Sequence, residues 1–138
     1  MFDIKRQSVA DPNEIVSFSS NGDFLVYDAR KPSCPAIEAR YNFGGSNSNA
    51  ATNVRMNVCP ANTSIFSVCG FDQNLYVCEV SHNTINILFT HDGHSYSVEE
   101  AKPDVCTTCC LWLPFISENT LISCANDSSV QCWQFKTS

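Results

Sequence analysis

Cysteine and histidine, two residue types that can bind a metal ion, are concentrated in the second half of the sequence. Cys106, Cys109 and Cys110 follow His91 and His94 along the chain, and thiolates and imidazoles are ligands that Zn²⁺ prefers. A single Cys-x-x-Cys pair is half of such a site, and no second pair stands at zinc-finger spacing. On an extended strand Cys106 and Cys109 point to opposite faces. We therefore expect no metal and no other cofactor. The thiols are expected to pack as small apolar groups, with zinc binding and redox chemistry as the alternatives.

His94 and Asp127 form a second pair that could do chemistry, as a general base and the carboxylate that orients it. No serine, cysteine or threonine in a recognisable nucleophile motif accompanies the pair. Gly44-Gly45 is followed by serine, asparagine and alanine, which is typical of a flexible connector and not of a phosphate-binding loop. The sequence therefore predicts no catalytic residues and no enzyme, and it assigns His94 and Asp127 a structural role.

Composition narrows the function classes further. The 138 residues are 43% hydrophobic and 16% charged, and fourteen acidic residues against eight basic ones give a net charge of −6. This charge disfavours binding to nucleic acid or to an anionic membrane. The longest apolar run, residues 111–116, is far shorter than the roughly 20 residues that span a bilayer. Nine cysteines, an odd number, without a signal peptide argue against a disulfide framework. We expect a cytoplasmic protein.

Short apolar runs separated by turn residues must position these side chains. Asn21-Gly22 lies between two β-rich runs, and this dipeptide is a strong hairpin signal because both residues tolerate positive φ. The same plan recurs at residues 64–80 and 120–135. No stretch of 11 or more residues has a helical period. The predicted fold class is all-β.

The three hairpins align with one another without a gap. The shared turn position is followed six residues later by a shared third-strand position, the pairs being Asn21 with Tyr27, Asp72 with Cys78, and Asp127 with Trp133. Further β-rich runs flank the hairpins, so each period of about 40–50 residues holds four strands, which is the blade of a β-propeller. The sequence predicts about three four-stranded antiparallel blades, at about residues 2–43, 52–91 and 104–138. The last blade lacks an outer strand of its own, which residues 2–9 could supply.

One hairpin carries a recognisable motif. Gly93-His94, Asp127 and Trp133, with Gln134 where an aspartate is usual, resemble a WD repeat. The resemblance implies a hydrogen-bond network of His94, Ser123, Asp127 and Trp133, in which Asp127 accepts from the imidazole and from turn amides. The first two hairpins lack the full set, so the resemblance predicts that they are less rigidly locked.

A closer resemblance within the WD-repeat family extends from about residue 65 to residue 133. It is carried by Gly70-Phe71-Asp72 and by residues 88–94 and 126–133. The members concerned are non-enzymatic cytoplasmic scaffolds, linked to assembly of the RNA-cleavage module of the Integrator complex and to spindle-pole organisation. The resemblance implies Integrator cleavage-module subunits, their assembly factors and microtubule-associated proteins as partners. Three blades do not close a propeller, so it also implies an oligomer or additional blades.

Phe71 and an acidic insertion are the candidate partner-binding residues of the turn face. Phe71 directly precedes the turn aspartate, where an exposed aromatic ring could anchor a partner. Alternatively, its ring folds over its own hairpin or over a neighbouring blade. Glu99 and Glu100 begin an acidic loop that is either solvated or contacts a basic surface on a partner.

Tyr27-Asp28-Ala29-Arg30 suggests an alternative function. It resembles the tryptophan-aspartate-x-arginine box by which some WD-repeat proteins dock on a cullin ubiquitin-ligase adaptor, with Arg30 as the contact residue. Tyrosine replaces tryptophan, and Asn21 stands where an acid is usual. The local alternative is that Arg30 caps a strand end while Asp28 accepts from nearby amides.

Overall fold

The structure, a computed structural model, describes five stretches of the chain: residues 2–6, 13–43, 54–62, 64–95 and 105–136. The predicted all-β class is confirmed, because these residues form eleven strands and one short 3-10 helix, Gly93–Ser95. No helix in the described stretches is long and apolar enough to cross a bilayer.

The strands of the described residues form three antiparallel sheets, each ordered as in the chain. The first sheet contains β1 (Phe2–Arg6), β2 (Glu14–Ser19), β3 (Asp23–Asp28) and β4 (Ile37–Arg40). The second contains β5 (Arg55–Val58), β6 (Ile65–Cys69), β7 (Leu75–Ser81) and β8 (Thr84–His91). The third contains β9 (Thr107–Trp112), β10 (Thr120–Ala125) and β11 (Val130–Gln134).

The position of β1 decides between two uses of the first residues. They could belong to the first sheet or complete the last one, and β1 pairs with β2, from Phe2 opposite Ser19 to Arg6 opposite Ile15. The physical reason is proximity along the chain, because closing a short loop costs less conformational entropy than reaching a distant sheet. Residues 7–9 lie outside the described stretches.

The three hairpins share one strand register. Their aligned third-strand positions face equivalent residues of the preceding strand: Tyr27 faces Ile15, Cys78 faces Phe66, and Trp133 faces Leu121. The turns differ in how they reach positive φ. Gly22 and Gly70 provide it in the first two, with φ of 84° and 97°, and Ser128 provides it in the third, with φ of 69°.

Two apolar clusters hold the sheets together. Alternate residues of β2 and β3 pack on β5 and β6, and Phe24 stacks on Phe66 with ring centroids 4.5 Å apart. In the second cluster, Leu75 and Val77 of β7 pack with residues such as Leu121 of β10. Burying side chains of this size contributes about 1.5–3 kcal/mol each. The sheets therefore stack in chain order, with β5 contacting both β1 and β9, and with β4 contacting β8.

The cysteines divide between the core and the surface. Cys59, Cys69, Cys78 and Cys110 are buried, as expected for packed thiols. A hydrogen bond with Cys110 and burial raise the pKa of Cys69, and burial raises the pKa of Cys78. All nine cysteines lie in the described stretches, and none of them forms a disulfide.

Candidate functional site

The short 3-10 helix after β8 places His94 against the third sheet, where the imidazole is buried at 3% exposure. The preceding residue has to be small. A Cβ atom on Gly93 would meet the Gln131 side-chain oxygen and the ring of His91. Glycine at this position therefore allows the backbone to approach the sheet closely enough for His94 to be buried.

His94 lies in the middle of a chain of hydrogen bonds. The Trp133 indole N–H donates to Ser123 Oγ at 3.0 Å, and Ser123 Oγ lies 2.8 Å from His94 Nε2. On the other side of the ring, His94 Nδ1 lies 2.7 Å from Ser129 Oγ. The Ser129 hydroxyl donates to Asp127 Oδ1 at 2.6 Å. His94, Ser123 and Trp133 are thus brought together directly, and the path from His94 to Asp127 runs through Ser129.

The direction of these bonds assigns the tautomer of His94. Ser129 has a single hydroxyl proton and donates it to Asp127, so Nδ1 of His94 must donate to Ser129. Nε2 of the neutral ring then accepts the proton of Ser123. Burial lowers the pKa of His94, and the neighbouring His91 lowers it further, against an opposing effect of Asp127. The neutral imidazole is therefore favoured, and both of its nitrogens are engaged inside the protein.

A second histidine extends the cluster. His91, at the end of β8, stacks on the Trp133 ring with centroids 4.2 Å apart and an interplanar angle of 9°. Its Nε2 lies 2.8 Å from Gln131 Oε1, and Gln131 Nε2 donates to the Gly93 carbonyl at 3.0 Å. Burial lowers the pKa of His91 as well. The cluster therefore ties the connection between the second and third sheets to β11.

Sequence reasoning missed three members of this cluster: His91, Gln131 and Ser129. A signal for Ser129 existed, because a serine two residues after a turn aspartate is typical of an Asx turn, and the Ser129 N–H donates to Asp127 Oδ1 at 2.9 Å. Gln131 is two residues before Trp133 and so shares its face of β11. No pattern in the sequence pointed to the stacking of His91.

The equivalent positions of the first hairpin have different contacts. Asn21, at the turn position of this hairpin, makes its hydrogen bond through the backbone N–H, which donates to Ser19 Oγ at 3.2 Å. The Ser19 hydroxyl donates to Asp23 Oδ2 at 3.0 Å. Tyr27 is half-buried in β3. The side-chain hydrogen bonds of this turn therefore come from within the hairpin, and Arg40 of β4 adds an ion pair with Asp23 at 3.3 Å.

The second hairpin follows the same local plan. The Tyr76 hydroxyl donates to Asp72 Oδ2 at 2.6 Å, and the Asn74 N–H donates to Asp72 Oδ1 at 2.8 Å. Burial and the bond to Asp72 raise the pKa of Tyr76 to about 12. Cys78, at the third-strand position, is fully buried.

Phe71 packs between the first two sheets. Its ring stacks on Phe43 with centroids 5.0 Å apart and meets the edge of Phe18 at 6.1 Å. This is the arrangement in which the ring folds over a neighbouring sheet. Glu99 and Glu100, the acidic candidates for the same face, lie outside the described residues.

Arg30 lies in the turn after β3 and pairs with Asp28. Its Nη2 and Nε donate to the Asp28 carboxylate at 2.7 and 2.9 Å, and its backbone N–H donates at 2.9 Å. These hydrogen bonds lower the pKa of Asp28 to about 2. Asp28 therefore accepts from local groups, and docking of Arg30 on a ligase adaptor stays a prediction.

The three cysteines that form the alternative zinc site lie just before β9 and within it. Cys106 is half-buried and precedes the strand, Cys109 is exposed, and Cys110 is buried with its sulfur 3.2 Å from Ser67 Oγ. Cys124 pairs with Cys109, but the next residue, Ala125, pairs with Thr107, so a β-bulge shifts the register of β9 against β10 at the start of β9. Within the described stretches, no group of three or more histidine, cysteine or acidic residues could hold a metal ion.

Comparison with known proteins does not assign a family. The chain matches no protein-family model and no curated protein. The resemblance to WD repeats therefore stays a prediction from the residues.

Proposed function

We propose that the chain is a non-enzymatic WD-repeat scaffold that binds other proteins. The observation that carries this proposal is the hydrogen-bond chain from Trp133 through Ser123 to His94. Histidine, serine and tryptophan in this relation are what the resemblance to a WD repeat implies, and they come from two separate segments of the sequence. Asp127 joins the same chain through Ser129.

The arrangement of the sheets supports the proposal that they are propeller blades. Each hairpin has the same register, and the sheets stack face to face in chain order. β5 contacts both β1 and β9, as expected for the innermost strands of adjacent blades, and the contact of β4 with β8 is that expected of outer strands. The described part of the third sheet has three strands, as proposed for a blade without its own outer strand.

A scaffold role also fits the chemistry of the histidine cluster. His94 is the strongest candidate for a general base in the sequence, but both of its ring nitrogens contact serine hydroxyls. Its hydrogen-bonding capacity is therefore used to hold the fold together. The exposed surface includes large apolar side chains such as Phe115, which is 81% exposed. Ile116, the next residue, is 56% exposed, so two neighbouring apolar side chains of the β9–β10 connection are available to a partner.

The partners we propose follow from the closer resemblance at residues 65–133, which is to WD repeat-containing protein 73. They are subunits of the Integrator cleavage module and their assembly factors, with microtubule-associated proteins as a further group. The proposed location is the cytoplasm and the spindle pole.

Affinity purification with quantitative mass spectrometry tests the partner assignment. The tagged chain and tagged WD repeat-containing protein 73, as a positive control, are expected to enrich the same cleavage-module subunits. Ile116→Asp, an exposed substitution in the β9–β10 connection, serves as a matched folded variant for judging nonspecific apolar capture. Recovery of these subunits with the control protein but not with the chain would contradict the assignment.

A further inference from the structure

The side of the third sheet that faces away from the second sheet is an uncharged, largely apolar surface. We call it the third-sheet face, and it consists of Cys109, Leu111, Ile122, Cys124, Val130 and Cys132. These residues share one side of the sheet because Ile122 pairs with Leu111 and Cys132, while Cys124 pairs with Cys109 and Val130. Leu111 is 54% exposed and Val130 is 61% exposed. Concentrated apolar exposure of this kind marks an interaction surface.

Equivalent positions in the other two sheets are covered by a neighbouring sheet. In the first sheet they are Val16, Phe18, Phe24 and Val26, which pack on the second sheet. In the second sheet they are Ser67, Cys69, Leu75 and Val77, which face the third sheet. The corresponding residues of the third sheet are Ile122, Cys124, Val130 and Cys132. The third-sheet face thus continues a packing pattern used twice within the chain.

The opposite end of the stack presents a matching surface. We call it the first-sheet face, and its described residues are Ile15, Ser17, Leu25 and Tyr27, all half-buried. Their equivalents in the third sheet are Leu121, Ser123, Gln131 and Trp133, the side of that sheet that packs on the second sheet. A branched aliphatic residue, a serine and an aromatic residue recur in the same positions. Ser17 and Leu25 also line a surface pocket, together with Glu38.

We propose that the third-sheet face of one copy packs on the first-sheet face of a second copy, head to tail. The contact would reproduce the interface between the second and third sheets with similar side chains. Two carboxylates border the first-sheet face. Asp23 already accepts from Ser19 and pairs with Arg40 at 3.3 Å. Glu38, opposite Leu25, is exposed on the outer strand β4, so it can stay in solvent at the rim of the contact. A head-to-tail contact leaves one face of each kind free in a dimer, so further copies can add or the assembly can close into a ring. We expect the association to be weak and dependent on concentration, because several of the residues in both faces are already partly buried in the monomer.

Analytical ultracentrifugation tests the association. The wild-type chain is expected to shift from monomer to larger species between roughly 1 and 200 μM, the range in which weak interfaces form. Val130→Asp places an unpaired carboxylate in the third-sheet face and should weaken association at least about tenfold. Ile116→Asp is the matched control, since Ile116 is 56% exposed but lies outside both faces, and it should associate as the wild type does.

Mixing two variants tests the head-to-tail geometry. Leu25→Asp alters the first-sheet face only, and Val130→Asp alters the third-sheet face only, so each alone is expected to be monomeric. Together they retain one intact pair of faces and should form a 1:1 dimer that does not grow. Normal association of Leu25→Asp would mean that two third-sheet faces pair with each other, and it would overturn the proposal.

Thiol alkylation gives a readout that needs no variant. Cys132 lies in the third-sheet face, and Cys34, between β3 and β4, lies outside both faces; both are exposed. Raising the protein concentration should slow alkylation of Cys132 at least about threefold relative to Cys34, because association covers only the former. A wild-type chain that stays monomeric with unchanged relative alkylation would overturn the proposal and leave the third-sheet face to a different protein.

Discussion

The first and third hairpins have the same backbone register but are held in different ways. In the first, Ser19 and Asp23 make side-chain hydrogen bonds within the hairpin, and the remaining contacts come from Arg40 and Tyr41, at and just after the end of β4 in the same sheet. In the third, Asp127 and Ser123 are joined through His94, which lies in the connection from the preceding sheet. The shared register therefore does not need a shared polar network. Pairing of alternating apolar residues is sufficient to set it, and the network of the third hairpin adds a link between two sheets.

The difference extends to the backbone of the two turns. Gly22 adopts a φ of 84°, and its carbonyl accepts a hydrogen bond from Tyr41 N–H at 3.0 Å. The third turn instead places Ser128 at a φ of 69°, which costs a non-glycine residue energy. The first turn thus depends on a glycine, whereas the third depends on side-chain hydrogen bonds. The two hairpins are expected to respond to different substitutions.

The largest effect is expected from Gly22→Ala. A Cβ atom at this position would collide with the Tyr41 carbonyl oxygen, and the residue would keep a positive φ. We expect a loss of about 2–4 kcal/mol in the free energy of unfolding, measured by urea denaturation. Gly93→Ala is the comparison: it should also destabilise the chain, but less, because its Cβ displaces the Gln131 and His91 side chains, meets no backbone and needs no positive φ. Equal losses for the two variants would show that the first turn is not fixed by its backbone.

The next effect compares the aligned turn residues directly. Asp127→Ala removes the acceptor of the Ser129 N–H and hydroxyl and should cost about 1–3 kcal/mol. Asn21→Ala leaves the backbone bond to Ser19 in place and should cost less than about 0.5 kcal/mol. Equilibrium unfolding in urea measures both. Equal costs would contradict the view that the third hairpin depends on the side chain at this turn position and the first does not.

Local sequence signals were enough to predict the hairpins and the all-β class. Asn21-Gly22 marked the first turn, and alternation marked the strands around it. Long-range packing was not predictable in the same way. The ring of Phe71 could fold over its own hairpin or over a neighbouring sheet, and its packing on Phe18 and Phe43 depends on which surfaces meet.

The histidine cluster was predictable only in part for the same reason. His94, Ser123 and Trp133 were identified from a repeat motif, whereas the stacking of His91 on Trp133 requires the connection after β8 to fold back on β11. No residue type or spacing in the sequence specifies that path. Contacts within a hairpin are encoded locally, and contacts between segments depend on the assembled sheets.

A pH dependence should also distinguish the third hairpin. Burial lowers the pKa of His94 and of His91 in the folded chain from the ordinary value of 6.5. Below pH 6.5 the unfolded chain binds more protons than the folded one, so the free energy of unfolding should fall from about pH 7.5 toward pH 5.5. His94→Gln should reduce this fall, whereas His82→Asn, in the exposed β7–β8 turn, should retain it. Parallel ¹H–¹⁵N NMR should find the His94 proton on Nδ1. A proton on Nε2, or an undiminished fall in His94→Gln, would contradict the network.

The smallest effect is a gain in stability from Ser128→Gly. Glycine adopts the φ of 69° found at Ser128 at no steric cost, although it also gains entropy in the unfolded chain. The Ser129 and Asp127 contacts do not involve the replaced side chain. We therefore expect the free energy of unfolding to rise by up to about 1 kcal/mol, measured by urea denaturation. A loss of stability would mean that the Ser128 side chain itself supports the turn. The third hairpin would then differ from the first in a further stabilising side chain, that of Ser128. The positive φ of Ser128 would also not be an energetic cost that the network around His94 has to offset.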